Sequence, residues 1–556
     1  MEFMEYITTP KLDGVTLYQA NQAPIEGTLC ITAHHLILSS RQDFSEELWL
    51  LHSSVDSVEK RLNGSESIIT LKCKDFQILK LGIPSADDCV NIAYSIEALS
   101  NIADICLSYP FYNRVPIEML EDGWHAYTVE TEFSRIQNFV AYEWRLSYVN
   151  KNYKVCSSYP ECVVVLKSVD DETLIKSASF RQNGRFPVLS YYHKPNKMVL
   201  MRCSQPLTGP NNRRCREDEV VVNSVLTTSS RIRGYIVDTR SITSTKMAAA
   251  RGGGVEPEAY YPQWRRVNQP IERPSNLQDS LTRLIEACLD VGASMDKWLS
   301  KLDSSNWLGH VKDALTCACT VAQYMENGGS VLVHGGEGTD TTLVVTSLTQ
   351  LILNPDCRTV VGFEALLARE WIQAGHPFSS RCCKSAFATS KNKQEAPMFL
   401  LFLDCVWQIW QQFSCSFEFN EQFLIILFKH AYASQFGTFL FNNEQERSEN
   451  KLSEKTISLW SYLNCPKILC QYMNPLYEPN QSVLWPSVLP HSLQLWTSVY
   501  QCWQRFLPIQ TEIWDEIVQI KQDNKEIRAT VVKMKKYLVK LEKEALNRGL
   551  VDVSSE

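Results

Sequence analysis

Four things are scarce in this 556-residue sequence, and each scarcity excludes something. Positive charge is in deficit: 55 Lys and Arg stand against 62 Asp and Glu, a net charge of −7, which argues against a general nucleic-acid binder. No apolar run is long enough to span a bilayer. The most apolar stretch, Pro397 to Trp410, is short and carries Asp404, so a buried helix is expected there. The opening residues MEFMEYITTP hold acids and no basic stretch ahead of an apolar run, so no signal peptide is expected. The 19 cysteines lack any pair-of-pairs spacing, and neither Cys317 with Cys319 nor Cys382 with Cys383 matches a zinc site. Reduced, buried cysteines in a cytoplasmic chain, with no metal or cofactor, are the expectation.

A smaller absence says more. The stretch Ser330 to Thr342, SVLVHGGEGTDTT, has the pattern of a buried strand, a glycine-rich loop and a helix N-terminus. That is a standard way to build a phosphate cradle. Yet the loop holds no cysteine, lysine or arginine, and it does hold two acids, Glu337 and Asp340. A Walker A loop would need a lysine after its last glycine, where Thr339 follows Gly338. A metal site built from Glu337, Asp340 and His334 is disfavoured because His334 falls at a buried strand end by pattern. Asp404 and His430 show no nucleophile–base spacing and read as packing residues.

What is present is an orderly chain of segments. Residues 1–102 read as strands closed by one helix. Glu26–Ser40 and Glu47–Lys60 are strand-like, and Ser67–Ile83 forms a hairpin turning near Lys74 and Asp75. Ser85 with Asp88 makes an acidic capping box, after which Cys89, Ile92, Ala93, Ile96 and Leu99 share one helical face. Strands plus one amphipathic helix suit a pleckstrin-homology-like barrel, which could bind phosphoinositide or protein, or be purely structural. A linker at 103–122 leads to a large segment, 123–506, where strand-like and helix-like stretches alternate; the fold class is α/β in a multidomain chain. Ser241–Glu258 and Phe441–Thr456 read as mobile insertions.

The C-terminal stretch 508–547 differs, with a short tail at 548–556. Ile513, Ile517, Ile520, Asn524, Ile527, Val531, Met534, Leu538, Leu541 and Ala545 are spaced alternately four and three apart. A seam this long with no proline or glycine predicts a coiled coil. Asn524 sits at an a position, where a buried Asn selects register and usually two strands. Glu516 with Lys521 and Asp523 with Arg528 would attract across a parallel pair of identical chains, so the seam permits a homodimer.

The loop and its surroundings resemble the myotubularin lipid phosphatases, whose loop reads V-H-C-S-D-G-W-D-R-T. Aligned on His334, Gly338, Asp340 and Thr342, this chain has Gly335 where the family has its nucleophilic cysteine. Thr341 stands at the family's arginine, Gly336 at its serine, Glu337 at its first aspartate and Thr339 at its tryptophan. The segments FRQNGRFPVLSYYHK, RCSQPLTG, GYIVDTR, YPQWRR and NWLGHVKDAL come before the loop in family order. GFEALLAREWIQAGHPFSSRC, FLLFLDCVWQ, FEFNEQFLI, YASQFGTFL and LWPS follow it. The resemblance extends to the barrel, which would be a PH-GRAM domain, and to the coiled coil.

In that family's H-C-x5-R chemistry the Cys attacks phosphorus as a thiolate, the loop amides hold three oxygens, and the Arg clamps two. Gly335 cannot attack and Thr341 cannot clamp, so the expectation is a pseudophosphatase with Glu337 and Asp340 uncompensated. The resemblance implies that inactive members pair through the coiled coil with active ones, here myotubularin-related proteins six, seven and eight. Those partners would remove the 3-phosphate of phosphatidylinositol 3-phosphate and 3,5-bisphosphate. A cytoplasmic protein held peripherally on endomembranes (endosome, endoplasmic reticulum, perinuclear region, membrane ruffles) is implied, with roles in endosomal traffic, macropinocytosis and autophagy. The competing reading is a phosphoinositide-binding effector that works through the barrel without a phosphatase partner.

Overall fold

The computed structural model describes residue 3 and residues 5–18, 23–40, 47–62, 67–102, 104–108, 122–140, 143–227, 233–290, 292–388 and 394–502, with scattered positions between 519 and 541. The first unit is a strongly bent antiparallel sheet in the order β4-β3-β2-β1-β7-β6-β5. Its strands are β1 (Lys11–Tyr18), β2 (Ile25–Ile31), β3 (His35–Ser40), β4 (Glu47–Leu51), β5 (Val55–Arg61), β6 (Ser67–Cys73) and β7 (Ile78–Ile83). The apolar run at 26–40 is therefore two strands, because Thr32 at the turn accepts the amide of His35 on its hydroxyl at 3.0 Å and reverses the chain. β1 itself escaped the sequence pattern: Gly14 and a register shift interrupt its alternation.

Helix α1 (Ala86–Ser100) closes the barrel. Ser85 caps it by accepting the Asp88 amide at 3.3 Å, and Cys89, Ile92, Ala93, Ile96 and Leu99 are all buried against the sheet, as their spacing requires.

The second unit enters through α2 (Val129–Val140) and the hairpin β8 (Trp144–Ser147) and β9 (Val163–Leu166). Its centre is a five-stranded sheet, β10-β11-β14-β12-β13, comprising β10 (Val188–His193), β11 (Met198–Cys203), β12 (Gly234–Asp238), β13 (Trp264–Asn268) and β14 (Ser330–His334). β11, β14, β12 and β13 run parallel, and β10 is antiparallel at the edge. Successive side chains on a strand point to opposite faces, so two cores form. Val199, Met201, Ile236 and Leu332 face α3 (Asp171–Phe180) and α4 (Arg216–Thr227). Leu200, Val237, Val331 and Val333 enter the larger core. That core is built by α6 (Pro274–Leu289), α7 (Trp307–Glu326), α8 (Thr341–Leu353), α9 (Val360–Leu367), α10 (Met398–Gln412) and α11 (Glu421–Tyr432). Between the two sets, α5 (Ile242–Ala250) follows β12 at the rim of the sheet.

The most apolar run is α10, buried along nearly its whole length. Its Asp404 is satisfied by the Trp307 indole at 2.8 Å, the Tyr500 hydroxyl at 2.7 Å and the Gln408 amide at 2.9 Å. Among the described residues no helix is long and apolar enough to cross a membrane. All 19 cysteines are free, ten of them buried.

The two segments expected to be mobile are both ordered. Ser241–Glu258 contains α5 and places Glu256 in the interior, while Phe441–Thr456 carries buried Arg447, which donates to the carbonyls of Leu440 at 2.9 Å and Ile372 at 3.1 Å. Polar composition marked them as loops, but these buried ion and carbonyl contacts hold them down.

The two units are joined through the β6–β7 turn. Phe76, held at φ +69°, is fully buried among Phe387, Phe428 and Tyr500 of the larger unit. Beside it, the Asp56 carboxylate accepts the amides of Ser385 at 3.0 Å and Phe387 at 2.9 Å. Phe76→Ala should cost about 3 kcal/mol or more, the range for emptying a buried aromatic site. A lowered melting midpoint with faster protease cleavage between the units is the expected result; an unchanged melt would show that the turn carries no such anchor.

Candidate functional site

β14 is the middle strand of the sheet, and the loop 335–340 leaves its C-terminal end for the start of α8. That is where α/β sheets place ligands, with the first-turn amides of α8 pointing at the crevice. Gly338 takes φ +77°, and a Cβ there would lie 2.5 Å from the Cys203 carbonyl oxygen, so only glycine fits. Two bonds brace the loop from outside: Arg185 Nη2 donates to the Gly338 carbonyl at 2.8 Å, and the Gln205 amide donates to the Gly336 carbonyl at 3.0 Å. Among the described residues, none of the amides from Gly335 to Asp340 donates a hydrogen bond.

His334, fully buried, is held by two bonds. One nitrogen lies 3.1 Å from the Gly335 carbonyl and the other 3.1 Å from Glu256. Burial opposes charge on the ring, but the carboxylates of Glu256 and Asp238 outweigh it and raise the His334 pKa above its usual value. Glu256 also accepts Arg181 at 2.6 Å, and Arg181 forks onto Asp218 at 2.8 and 2.6 Å. Burial would raise the Glu256 pKa, yet these cations hold it well below the usual carboxylate range.

At Gly335 the cradle is filled by hydroxyls. Thr341 and Thr239 share a hydrogen bond of 2.7 Å across it, and the buried Thr342 hydroxyl has no partner among the described residues. A Cβ on Gly335 would meet Thr239 Oγ1 at 2.9 Å and Thr341 Oγ1 at 3.0 Å. Cys203, whose carbonyl packs on Gly338, cannot supply a thiolate: it is buried, and burial pushes its pKa up to about 12.

The charge balance differs from expectation at one residue. Asp340 is not uncompensated, because Arg381 forks onto it at 3.1 and 2.8 Å. Glu337 is exposed at the mouth. Arg240, the other guanidinium at the site, is taken up by Asp238 at 2.9 and 2.7 Å, Gln205 and the Gly254 carbonyl. Both cations thus serve neighbouring groups of the protein. His376 Nδ1 donates to the Thr339 carbonyl at 3.0 Å, and burial lowers its pKa to about 4. Among the described residues no cluster of His, Cys, Asp and Glu could hold a metal ion.

Sequence reasoning found the loop, but it missed Thr239, Glu256 and Arg381. Glu256 lay in a segment read as mobile, Thr239 directly follows the end of β12, and Arg381 ends a short helix, Phe378–Arg381, far away in the chain. Of the seam residues, Ile520, Ile527, Val531, Met534, Leu538 and Leu541 are helical and 44–67 % exposed. Ile513, Ile517, Asn524 and Ala545 lie outside the described residues.

A PH-like barrel joined to a phosphatase-like α/β unit with a strand–loop–helix phosphate cradle defines the class of protein. Comparison with known proteins places it within that class. Residues 105–448 match the myotubularin-like phosphatase domain and residues 11–100 match the GRAM domain of MTMR6-9. The chain is 56 % identical over 545 residues to myotubularin-related protein 9 of Homo sapiens and equally to that of Mus musculus, covering 98 % of this chain and 99 % of each relative. It is 34 % identical over 538 residues to the phosphatidylinositol-3-phosphate phosphatase MTMR7 of Homo sapiens, covering 94 % of this chain and 80 % of the relative. The chain belongs to the myotubularin family.

Two predictions follow from the loop. Gly335→Cys should yield a folded protein with no lipid phosphatase activity in a phosphate-release assay, since the thiol enters a cradle closed by Thr239 and lacking a clamping cation; measurable turnover would refute this. His376 is about 6.5 when unfolded and about 4 when folded, so between those values the unfolded chain binds more protons. Its contribution to stability is therefore lost as pH falls through that window. The raised pKa of His334 works oppositely: its contribution is complete below its unfolded pKa and is lost as pH rises through the folded one. Melting midpoints at about pH 7, 6 and 5 should show a shallower acid loss for His376→Gln than for the parent.

Proposed function

We propose that this chain is a pseudophosphatase that acts as an adaptor or regulatory subunit for active myotubularin-related phosphatases. The observation that carries the reading is the cradle itself. Its strand, glycine loop and helix start are in place, but Gly335 offers no nucleophile, and the nearby guanidiniums of Arg240 and Arg381 are bound to Asp238 and Asp340. Losing a clamping Arg alone removes roughly 3 kcal/mol or more of transition-state stabilisation, and losing the nucleophile removes the covalent route.

The C-terminal seam supplies the working surface in this reading. Ile520, Ile527, Val531, Met534, Leu538 and Leu541 present an exposed apolar stripe at heptad spacing, which a lone helix in water would not retain cheaply. A coiled coil over 508–547, with Asn524 setting register, would pair with the matching helix of an active relative, namely myotubularin-related proteins six, seven or eight. The adaptor would stabilise that partner and raise its 3-phosphatase activity on phosphatidylinositol 3-phosphate and 3,5-bisphosphate. Cytoplasmic residence, endomembrane association and effects on endosomal traffic, macropinocytosis and autophagy would then come through the partner. A lipid-binding effector acting through the barrel is the competing reading; co-sedimentation of the isolated chain with phosphatidylinositol 3-phosphate vesicles would favour it.

Deleting Thr511–Glu556 should abolish stimulation of a co-purified active relative while leaving the melting of the globular part unchanged. Stimulation that survives the deletion would overturn the adaptor reading.

A further inference from the structure

Outside the loop, a cavity of about 540 Å³ runs along the free edge of β10. Among the described residues β10 ladders only with β11; β9 lies beside it in a separate two-stranded sheet, and α2 walls the other side. The volume falls in the range of small-molecule sites. Phe133, Ile136, Val163, Val188 and Leu189 give it an apolar lining.

Its polar end holds an anomaly. Arg202 is 5 % exposed, yet its side chain makes no hydrogen bond among the described residues: Nη1 is buried unbonded, and buried Nε faces Glu370 without hydrogen-bond alignment. It is held by an ion pair with Glu370 at 3.3 Å and by the face of Tyr159 at 5.3 Å. A buried guanidinium with its donors unmade is costly and rare. Around it stand Arg369 and Arg135, which both reach Glu132, at 2.8 and 3.3 Å. Lys194, Glu326 and Asp356 line the same cavity, so four cations and, with Glu370, four carboxylates balance around it.

The groove is also polar along its length. Arg202 is in register with Val188 at one end of β10, whereas His193 is in register with Met198 at the other. His193 is bonded there to Glu326 at 2.7 Å. The strand between spans about 16 Å.

From these features we infer that the β10 groove binds an elongated amphipathic organic anion, its carboxylate or phosphate head on Arg202 and its apolar body along α2, β9 and β10. The head would add charge-assisted contacts to the edge of the Arg202 guanidinium that lines the groove. The tail would replace water on the apolar walls. A single-chain fatty carboxylate and a single-chain lipid phosphate share this chemistry. The site reaches the degenerate loop by one short path: Tyr159 also lies under Arg185, at 4.5 Å, and Arg185 braces Gly338.

The test is calorimetric titration of the full chain with decanoate, decyl phosphate and decylamine. Saturable binding of at least one of the two anions, with none for decylamine, is expected, and the tighter anion identifies the head group. Ile136→Trp, which fills the apolar wall without touching a charge, should weaken that binding at least tenfold. The double change Arg202→Gln with Glu370→Gln should do the same without leaving a buried carboxylate alone; if it does not fold, Ile136→Trp decides. Absence of saturable binding by both anions, equal binding of decylamine, or affinity within twofold of the parent in the folded variants would overturn the inference.

Discussion

The buried chain of charges His334–Glu256–Arg181–Asp218 is the constraint on which the centre of this molecule depends. It ties the end of the middle strand to the rim segment after α5 and to helix α4, three pieces far apart in sequence. Buried ion chains add little net stability over apolar packing, but breaking one member strands a charge and costs about 3–5 kcal/mol. The chain therefore fixes where the strand must end and the loop must begin. Tyr261, donating to Asp218 at 2.7 Å, extends the same bracing to the segment leading into β13.

With the scaffold so held, the loop keeps its shape without needing an anion to organise it. Gly338 is locked by the Cys203 carbonyl, Arg185 and Gln205 hold two loop carbonyls, and Arg381 anchors Asp340 at the start of α8. At Gly335 and Thr341 the loop offers a bare backbone and one short neutral hydroxyl side chain. The hydrogen bond between Thr341 and Thr239 closes that space with neutral groups.

Much of this was legible in the sequence where structure follows from local periodicity. The face of α1 from Cys89 to Leu99, the N-cap at Ser85, the β6–β7 hairpin and the burial of α10 are all as their spacing dictates. The strand–loop–helix of the cradle was legible for the same reason, since glycines and a buried strand act within a dozen residues. Local composition misled where polar residues are satisfied by distant partners. Glu256 and Arg447 sit in stretches that read as mobile, and both are interior. Asp340 read as an uncompensated acid because its cation, Arg381, is forty-one residues away.

The sequence by itself determined which atoms the loop can bring to a phosphate, because Gly335 and Thr341 set an upper bound on chemistry that no packing can raise. It also determined the heptad stripe from Ile513 to Ala545, whose period is a property of the chain alone. Only the tertiary structure decided how the remaining charges are used. Arg181, Arg240 and Arg381 each donate hydrogen bonds to carboxylates, whereas Arg202 has only an ion pair with Glu370 and makes no side-chain hydrogen bond among the described residues. Electrostatic pairing acts over a few ångströms in space and is blind to distance along the chain, so it appears only once the strands and helices are assembled.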